Sequence, residues 1–169
     1  IDGTKDYINN RDEFTLNAAL IINLNPVLGI INAPGKKRLF YSYGKGHAFE
    51  INKDNKFKIE CKKKTKRGEV LAVSNSSKPI EEIVTIHKKF NVKKLTDMRS
   101  SYKFCVIAAG EFDLYASHPR ASEWDIAAGH AIVEHAGGSV TTLEGKKFNY
   151  GKKDFRNLSL LVKRSEELE

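Results

Sequence analysis

The stretch SEWDIAAGHAIVEHAGG, residues 122–138, predicts a helix. Its first residue, Ser122, is of a type preferred at helix N-caps, and Asp125 three positions later completes a variant of the capping box. Three alanines keep one side of the helix slim, so that another element can approach it closely: Ala127, Ala128 and Ala131. From this stretch alone, Asp125 is explained as a first-turn charge that complements the helix dipole.

The chain around this helix, from residue 68 to residue 169, alternates strands with helices, which favours an α/β lobe. The other expected helices are KPIEEIVTIHKKF and SSYKFCVIAAG. The expected strands are GEVLAVSNS, EFDLYAS, SVTTLEG and LSLLVKR.

Strand patterns dominate the first part of the chain. FTLNAALIINLNPVLGIINAP contains two apolar runs around a turn at residues 23–26, and RLFYSYGKGHAFEI predicts a second hairpin. KFKIECKKK resembles an edge strand whose lysines would hinder pairing with another chain. A change of composition near Arg67 and Gly68 predicts the boundary between two lobes, residues 1–67 and residues 68–169.

Composition and charge restrict the functional classes. The chain has 169 residues, of which 40% are hydrophobic, enough for one domain or two small lobes. No apolar run approaches the roughly 20 residues of a membrane helix, so no membrane association is expected. The net charge of +8 allows a polyanionic partner. The basic clusters lie at residues 36–38, 62–67 and 152–153. Because they are not interleaved with aromatics, a solvated surface is favoured over nucleic-acid binding.

The two cysteines, Cys61 and Cys105, lie 44 positions apart and form no CxxC pair. This spacing argues against a disulfide framework and against a zinc site. Two free thiols in a reducing compartment are expected, which favours the cytoplasm.

A second acidic element, IDGTKDY, lies at residues 1–7. Gly3 allows a tight backbone, and the N–H groups of Gly3, Thr4 and Lys5 could point outward at the start of a helical turn and bind a phosphate. By itself the element is also compatible with an ordinary turn.

Taken together, the two acidic segments resemble one family in order and spacing. The pair matches the D-P-[IL]-D-G-T and W-D-x-A-[AG] motifs of the inositol monophosphatase superfamily of magnesium-dependent phosphatases. SSYKFCVIAAGEFDLY and WDIAAGHAI are most similar to the bacterial 3′(2′),5′-bisphosphate nucleotidases of the CysQ type. The resemblance runs from residue 1 to about residue 163 and implies a layered αβαβα, sugar-phosphatase-like α/β fold, here without its N-terminal helices and strands.

The resemblance implies a site that holds Mg²⁺ and phosphate. Asp2 and Asp125 correspond to carboxylate ligands of the metal, and Ile1 corresponds to a ligand through its backbone carbonyl. Gly3 and Thr4 correspond to the pair that holds the phosphate. Asp2 and Thr4 are the expected catalytic residues. The implied reaction is hydrolysis of a phosphomonoester by a metal-activated water, without a covalent intermediate.

The substrate positions match the family less completely. Ser100 and Lys103 correspond to residues that face the nucleotide, but the family's substrate arginine corresponds here to Ser117, which has no guanidinium. Arg99 and Arg120 lie nearby in sequence and could replace it. In the segment SNSS, Ser77 likewise stands in place of a family histidine.

The leading hypothesis is a phosphatase for adenosine 3′,5′-bisphosphate or a related small phosphate. Inositol phosphate or fructose bisphosphate is the alternative substrate. The resemblance also predicts an upstream part with a metal-binding Glu, an Asp-Thr pair and an Asp-Pro, without which residues 1–169 would be inactive. A non-catalytic remnant or binding module, and a nucleic-acid-binding protein, are the alternatives of other classes. The expected partner is a phosphorylated small molecule, and the expected state is a monomer or weak homo-oligomer.

Two further side chains of residues 122–138 have structural interpretations. His130 and Glu134 are expected to pair on the surface of the helix, four positions apart. Trp124 is expected to pack in the core or against the wall of the site.

Overall fold

A computed structural model describes residues 1–61 and 69–168 and contains two five-stranded sheets. The first sheet is antiparallel, in the order β1-β2-β3-β4-β5. Its strands are β1 (Leu16–Ile22), β2 (Asn25–Ala33), β3 (Arg38–Ser42), β4 (Ala48–Asn52) and β5 (Asn55–Lys58). A short helix, α1 (Thr4–Ile8), precedes them, and a 3-10 turn (Pro34–Lys36) separates β2 from β3.

The second sheet is mixed and has the order β7-β6-β8-β10-β9. Strand β6 is parallel to β7 and β8, whereas β10 is antiparallel to β8 and β9. The strands are β6 (Val70–Ser74), β7 (Val92–Asp97), β8 (Leu114–Ser117), β9 (Ser139–Thr141) and β10 (Leu160–Lys163). The helices of this part are α2 (Glu81–Lys89), α3 (Tyr102–Ala108) and α4 (Glu123–His135).

Helix α4 lies at the centre of the core, in contact with the first sheet and with α3. A Cβ on Gly29 of β2 would lie 2.3 Å from the Ala128 carbonyl oxygen and 3.0 Å from the Ala131 Cβ. On its other side, a Cβ on Gly129 would lie 2.3 Å from the Phe104 ring of α3. The slim side predicted for this helix is therefore used for close approach, and most of the helix is buried.

Most of the predicted elements are confirmed, and the α/β fold with two sheets is the one expected. Both hairpins form, and β5 is an edge strand. Strand β7 was not anticipated, because its exposed lysines conceal any apolar alternation. The predicted lobe boundary at Arg67 and Gly68 lies outside the described residues.

Three surface or core predictions are wrong. His130 is 2% exposed, because α4 is covered on both sides, and its Nδ1 lies 2.9 Å from the Tyr150 hydroxyl. The predicted pairing of His130 with Glu134 is confirmed, since His130 Nε2 lies 3.0 Å from Glu134 Oε1. Trp124 is 63% exposed, and its ring lies near that of Phe155, with centroids 5.9 Å apart, because it faces away from the side of α4 on which its neighbours Glu123 and Ile126 are buried.

The third incorrect prediction concerns Arg38, which lies in a basic cluster that was assigned to the solvated surface. Its guanidinium donates to both carboxylate oxygens of Glu50, at 2.6 and 2.8 Å, and to the Tyr102 hydroxyl at 2.6 Å. Glu111 accepts a further hydrogen bond from it. The side chain is thus a partly buried link between β3, β4 and α3.

Two sequence expectations about the whole chain can be compared with the described residues. Cys61 and Cys105 are free, as predicted; both are also buried, and burial raises the pKa of the Cys61 thiol to about 12. In residues 1–61 and 69–168, no helix has the length and apolar character needed to cross a membrane.

Candidate active site

A cavity of about 330 Å³ opens where α1, α3, β8 and the start of α4 meet. Eight of the nine residues predicted for the site line it: Asp2, Gly3, Thr4, Arg99, Ser100, Lys103, Arg120 and Asp125. Ile1, the ninth, is 66% exposed and does not line the cavity. The fold thus brings together residues that lie more than a hundred positions apart in the sequence.

Three acidic residues line this cavity: Asp6, which pairs with Arg11 at 3.5 Å, and Asp2 and Asp125, which Ser101 connects and which we call the acidic set. The Ser101 Oγ lies 2.8 Å from Asp2 Oδ2 and 2.7 Å from the Asp125 carbonyl oxygen. It also accepts a hydrogen bond of 2.8 Å from Asn17 Nδ2. Because a hydroxyl has a single proton, Ser101 donates to one of the two oxygens at a time. One buried hydroxyl therefore fixes both ends of the site relative to the first sheet.

Gly3 places Asp2 next to α3. Its φ of +82° lies in the left-handed region, and a Cβ there would lie 2.6 Å from the Glu13 carbonyl oxygen and 3.3 Å from the Ser100 Cβ. Asp2 is fixed on its other side by two backbone hydrogen bonds of 2.9 Å with Thr15. A side chain at residue 3 would push α1 away from the cavity.

Asp125 has the capping geometry that the sequence predicted, and it also faces the cavity. Its Oδ2 accepts a hydrogen bond of 2.9 Å from the Ser122 backbone N–H. Burial raises the pKa of this carboxyl, the Ser122 hydrogen bond opposes the shift, and the charge of Asp2 adds to it. Two carboxylates that repel each other in a partly buried cavity are an arrangement that a bound cation would relieve.

Four cationic residues line the cavity, Lys5, Arg99, Lys103 and Arg120, and we call the last two the cationic set. Lys103 is 5% exposed, and its Nζ donates to the Ser100 carbonyl oxygen at 2.5 Å and lies 5.2 Å from the Tyr115 ring centroid. Burial lowers the pKa of Lys103 to about 8, although the charge of Asp2 acts in the opposite direction. Arg120 is exposed at the cavity's surface, in the segment between β8 and α4.

Sequence reasoning missed several residues of this cavity. Ser101, which has the largest number of polar contacts in it, lies next to the predicted Ser100 but carries no signal of its own. The other lining residues that were not anticipated include Asp6, Asn75, Tyr115 and His118, whereas Lys5, whose N–H was a candidate phosphate donor, also lines the cavity. Ser117 also lines the cavity, and its hydroxyl donates to the His118 carbonyl oxygen at 2.9 Å.

Oxygen ligands of this kind suit a hard divalent cation. Asp2 and Asp125 fit such an ion, and the repulsion by which Asp2 raises the pKa of Asp125 supports that fit. Within residues 1–61 and 69–168, no group of three or more His, Cys, Asp or Glu side chains is placed to hold a metal. The chain therefore supplies two carboxylates toward a metal site.

Comparison with known proteins shows the family of the chain. The profile of the Inositol monophosphatase family matches residues 1–168. The chain belongs to the inositol monophosphatase family. The family's members are metal-dependent phosphatases.

Individual relatives point to one branch of the family. The chain is 35% identical over 150 residues to the 3′(2′),5′-bisphosphate nucleotidase CysQ of Salmonella typhimurium, covering 89% of the chain and 59% of that protein. It is 39% identical over 153 residues to CysQ of Buchnera aphidicola, covering 89% and 56%. The chain thus spans less than two thirds of the length of each of these two relatives.

A solved structure agrees with the sequence relatives. The crystal structure of CysQ from Bacteroides thetaiotaomicron superposes with a TM-score of 0.84 at 31% identity. The match covers 98% of this chain and 68% of that one. The two-sheet arrangement described above is therefore the fold of this family.

Proposed function

We propose that the intact gene product containing this chain is a Mg²⁺-dependent phosphomonoesterase. Its substrate is adenosine 3′,5′-bisphosphate or a related small phosphate, from which it hydrolyses the 3′-phosphate. The observation that carries the proposal is the link from Asp2 through the Ser101 hydroxyl to Asp125, over 2.8 and 2.7 Å, in a cavity that also contains Gly3 and Thr4.

The acidic set would hold Mg²⁺. Asp2 and Asp125 supply carboxylate oxygens, and the Ile1 backbone carbonyl supplies a third oxygen. The chemistry that a bound Mg²⁺ provides is polarisation of the phosphoryl oxygens and activation of a water for in-line attack. Ser101 holds the Asp2 carboxylate and the Asp125 backbone carbonyl, and the Ser122 N–H holds the Asp125 carboxylate, so both carboxylates are positioned before any ion binds.

The phosphate to be hydrolysed would lie against Gly3 and Thr4. The first N–H groups of a helix have no partner within it, and α1 begins at Thr4. The Thr4 hydroxyl adds a further donor. Thr4 is exposed and lines the cavity, so a ligand can reach it. Asp2 and Thr4 are accordingly the proposed catalytic residues.

The remainder of the substrate would lie against Ser100, Lys103 and the two nearby arginines, Arg99 and Arg120. Support comes from their position in the same cavity as the acidic set and from the names of the CysQ relatives. The cationic side chains suit a nucleotide with more than one phosphate. A phosphorylated small molecule, rather than a nucleic acid, is the proposed partner.

The proposal concerns the whole protein, because this chain corresponds to 59% of the Salmonella relative. We expect the remaining metal ligands to come from the rest of the protein and residues 1–169 alone to be inactive. A cytoplasmic location and a monomeric or weakly oligomeric state are further expectations from the sequence.

Phosphate release by the purified intact gene product tests the proposal. Adenosine 3′,5′-bisphosphate, inositol 1-phosphate and fructose 1,6-bisphosphate should be compared with and without Mg²⁺. We expect the adenosine bisphosphate to be the best substrate, and EDTA to abolish turnover. Turnover that EDTA leaves unchanged would contradict the proposed metal site. A preference for inositol 1-phosphate would contradict the proposed substrate.

A further inference from the structure

Asn17 lies on the inner face of the first sheet and contacts the acidic set through one side chain. In the register of the sheet it is paired with Ile31 of β2, which is fully buried, so both side chains point toward the core. Its Nδ2 donates a hydrogen bond of 2.8 Å to the Ser101 Oγ, 84 positions later in the chain. A residue of β1 thus contacts the hydroxyl that connects Asp2 with Asp125.

The atoms around the Ser101 hydroxyl determine the direction of its proton. The ionised Asp2 carboxylate at 2.8 Å and the Asp125 carbonyl oxygen at 2.7 Å can only accept a hydrogen bond. The Asn17 Nδ2, by contrast, can only donate one. The amide therefore occupies a lone pair of the Ser101 oxygen and leaves the single proton of the hydroxyl for the two acceptors.

The opposite orientation of the Asn17 amide does not fit this arrangement. With Oδ1 in the place of Nδ2, three acceptor oxygens would surround one proton, and two of them would face Ser101 lone pairs at 2.7–2.8 Å. The amide is thus used for its donor. Among the described residues its Oδ1 is buried without a hydrogen-bond partner. Because a buried acceptor without a partner destabilises a fold, an asparagine at this position calls for a function.

We infer that Asn17 is a positioning residue of the metal site. It holds the Ser101 hydroxyl as a donor toward Asp2 and Asp125, and so orients the Asp2 carboxylate for a divalent cation. Without this amide the hydroxyl can turn away, since a serine side chain has three staggered rotamers and its proton rotates. Asn17 does not line the cavity, so it acts only through Ser101. The inference rests on the proposed function for the presence of the metal.

Metal binding, measured without turnover, tests the inference. The affinity of the intact gene product for Mn²⁺, used in place of Mg²⁺, should be measured from the electron paramagnetic resonance signal of the free ion. Asn17→Leu has a side chain of similar branching but without a donor. We expect it to bind Mn²⁺ about 3- to 10-fold more weakly than wild type, the scale of one hydrogen bond. Asn17→Ala needs less room, should show a similar loss, and serves if the leucine variant does not fold.

A double-mutant cycle distinguishes an action through Ser101 from a general structural role. When Ser101 is already replaced by alanine, Asn17→Leu should change the Mn²⁺ affinity by less than about twofold, because its acceptor is gone. The matched control is Asn32→Leu, at a half-buried position on the other face of the same sheet. It should remain within about twofold of wild type.

Three results would overturn the inference. The first is an Asn17→Leu loss that persists in the Ser101→Ala background. The second is wild-type Mn²⁺ affinity in both Asn17 variants. The third is an equal loss in Asn32→Leu.

Phosphate release from adenosine 3′,5′-bisphosphate shows which proposal fails. If Mn²⁺ binding depends on Asn17 as expected but the wild type releases no phosphate, the positioning role stands and the phosphatase proposal fails. If the wild type releases phosphate but its Mn²⁺ affinity does not depend on Asn17, only the inference fails. If the wild type binds no Mn²⁺, the inference fails together with the proposed metal site.

Discussion

The acidic and cationic sets line the same cavity but are held in different ways. Asp2 and Asp125 are connected by one buried hydroxyl and by backbone hydrogen bonds to Thr15 and Ser122. In the cationic set, Lys103 is buried, whereas Arg120 is exposed on a connecting segment. The acidic set, proposed for the chemistry, is thus held by hydrogen bonds on several sides. The cationic set, proposed for substrate choice, includes an exposed side chain, Arg120, that packing does not constrain.

This difference explains where the sequence departs from its family. The acidic residues match the family's motifs, and the fold leaves little room around them, as the contacts of Gly3 show. The resemblance assigns the position of the family's substrate arginine to Ser117, and Arg120, three positions later, lines the same cavity. We therefore expect substitutions in the acidic set to affect turnover of every substrate, and substitutions of Arg120 to affect discrimination between substrates.

The largest expected effect is that of Asp125→Asn on turnover. We predict a fall in phosphate release of about 10³-fold or more, since even residues that only orient metal ligands contribute 10- to 100-fold. The matched control is Glu134→Gln, on the same helix but paired with His130 away from the cavity. Assays of phosphate release should show the control within about threefold of wild type. Equal losses in the two variants would contradict the role of Asp125.

Ser101→Ala should weaken the acidic set without removing a ligand. The change leaves Asn17 Nδ2 and Asp2 Oδ2 without the Ser101 contact, so we predict a 10- to 100-fold rise in the Mg²⁺ concentration for half-maximal activity. Ser139→Ala is the control, because among the described residues its buried hydroxyl has no hydrogen-bond partner. A Mg²⁺ dependence that Ser101→Ala leaves unchanged would argue against the link.

Lys103 should make the stability of the protein depend on pH. Burial lowers its pKa to about 8, whereas an unfolded lysine titrates near 10.4. Between these values the unfolded chain binds a proton that the folded chain lacks, so this residue makes the free energy of unfolding rise with pH. Below about pH 8, Lys103 is charged in the folded protein, and the burial of this charge lowers the free energy of unfolding.

Urea denaturation of Lys103→Met and wild type in EDTA, from pH 7 to pH 10, measures this cost. We predict that the stability of the variant relative to wild type falls by about 1–2 kcal/mol across the range. A pH-independent difference would mean that Lys103 is not desolvated in the folded protein. The lost hydrogen bond to the Ser100 carbonyl contributes only a constant offset.

The smallest expected effect is a gain in stability from Asp125→Asn without metal. Burial and the Asp2 charge raise the pKa of Asp125, so its ionised form is disfavoured in the folded state above its unfolded pKa. The asparagine oxygen can still accept the hydrogen bond from Ser122. We predict a small gain in the free energy of unfolding at pH 7 in EDTA, which disappears as the pH falls and the carboxyl of wild type becomes protonated. Thermal unfolding at pH 7 and pH 4 measures this difference. If the Asp125 carboxylate stabilised the metal-free protein, Asp125→Asn would instead be less stable than wild type at pH 7.

Much of the fold could be predicted from local patterns. The hairpins and α4 follow from apolar periodicity and from glycine and capping residues near one another in sequence. Strand β7 could not be predicted in this way, because it is defined by parallel pairing with β6 and exposes Lys93 and Lys94. Its place in the sheet is a property of the tertiary structure.

The site shows the same division. The motifs indicated Asp2 and Asp125, whereas Ser101 could be recognised only once the fold brought residues 17, 2 and 125 around it. Arg38 was placed on the surface for the same reason, since one of its partners, Glu111, lies 73 positions away. The burial of His130 and the exposure of Trp124 likewise depend on what covers α4, which its own sequence does not contain.

The central claim is that Asp2 and Asp125 act as one metal site, and a double-mutant cycle tests it most directly. Phosphate release from adenosine 3′,5′-bisphosphate should be measured for the intact gene product and for Asp2→Asn, Asp125→Asn and the double variant. The effects of residues that act as a unit do not add. We therefore predict that the double variant releases phosphate at a rate within about tenfold of that of the less active single variant. Losses that multiply, as for independent residues, would contradict the account.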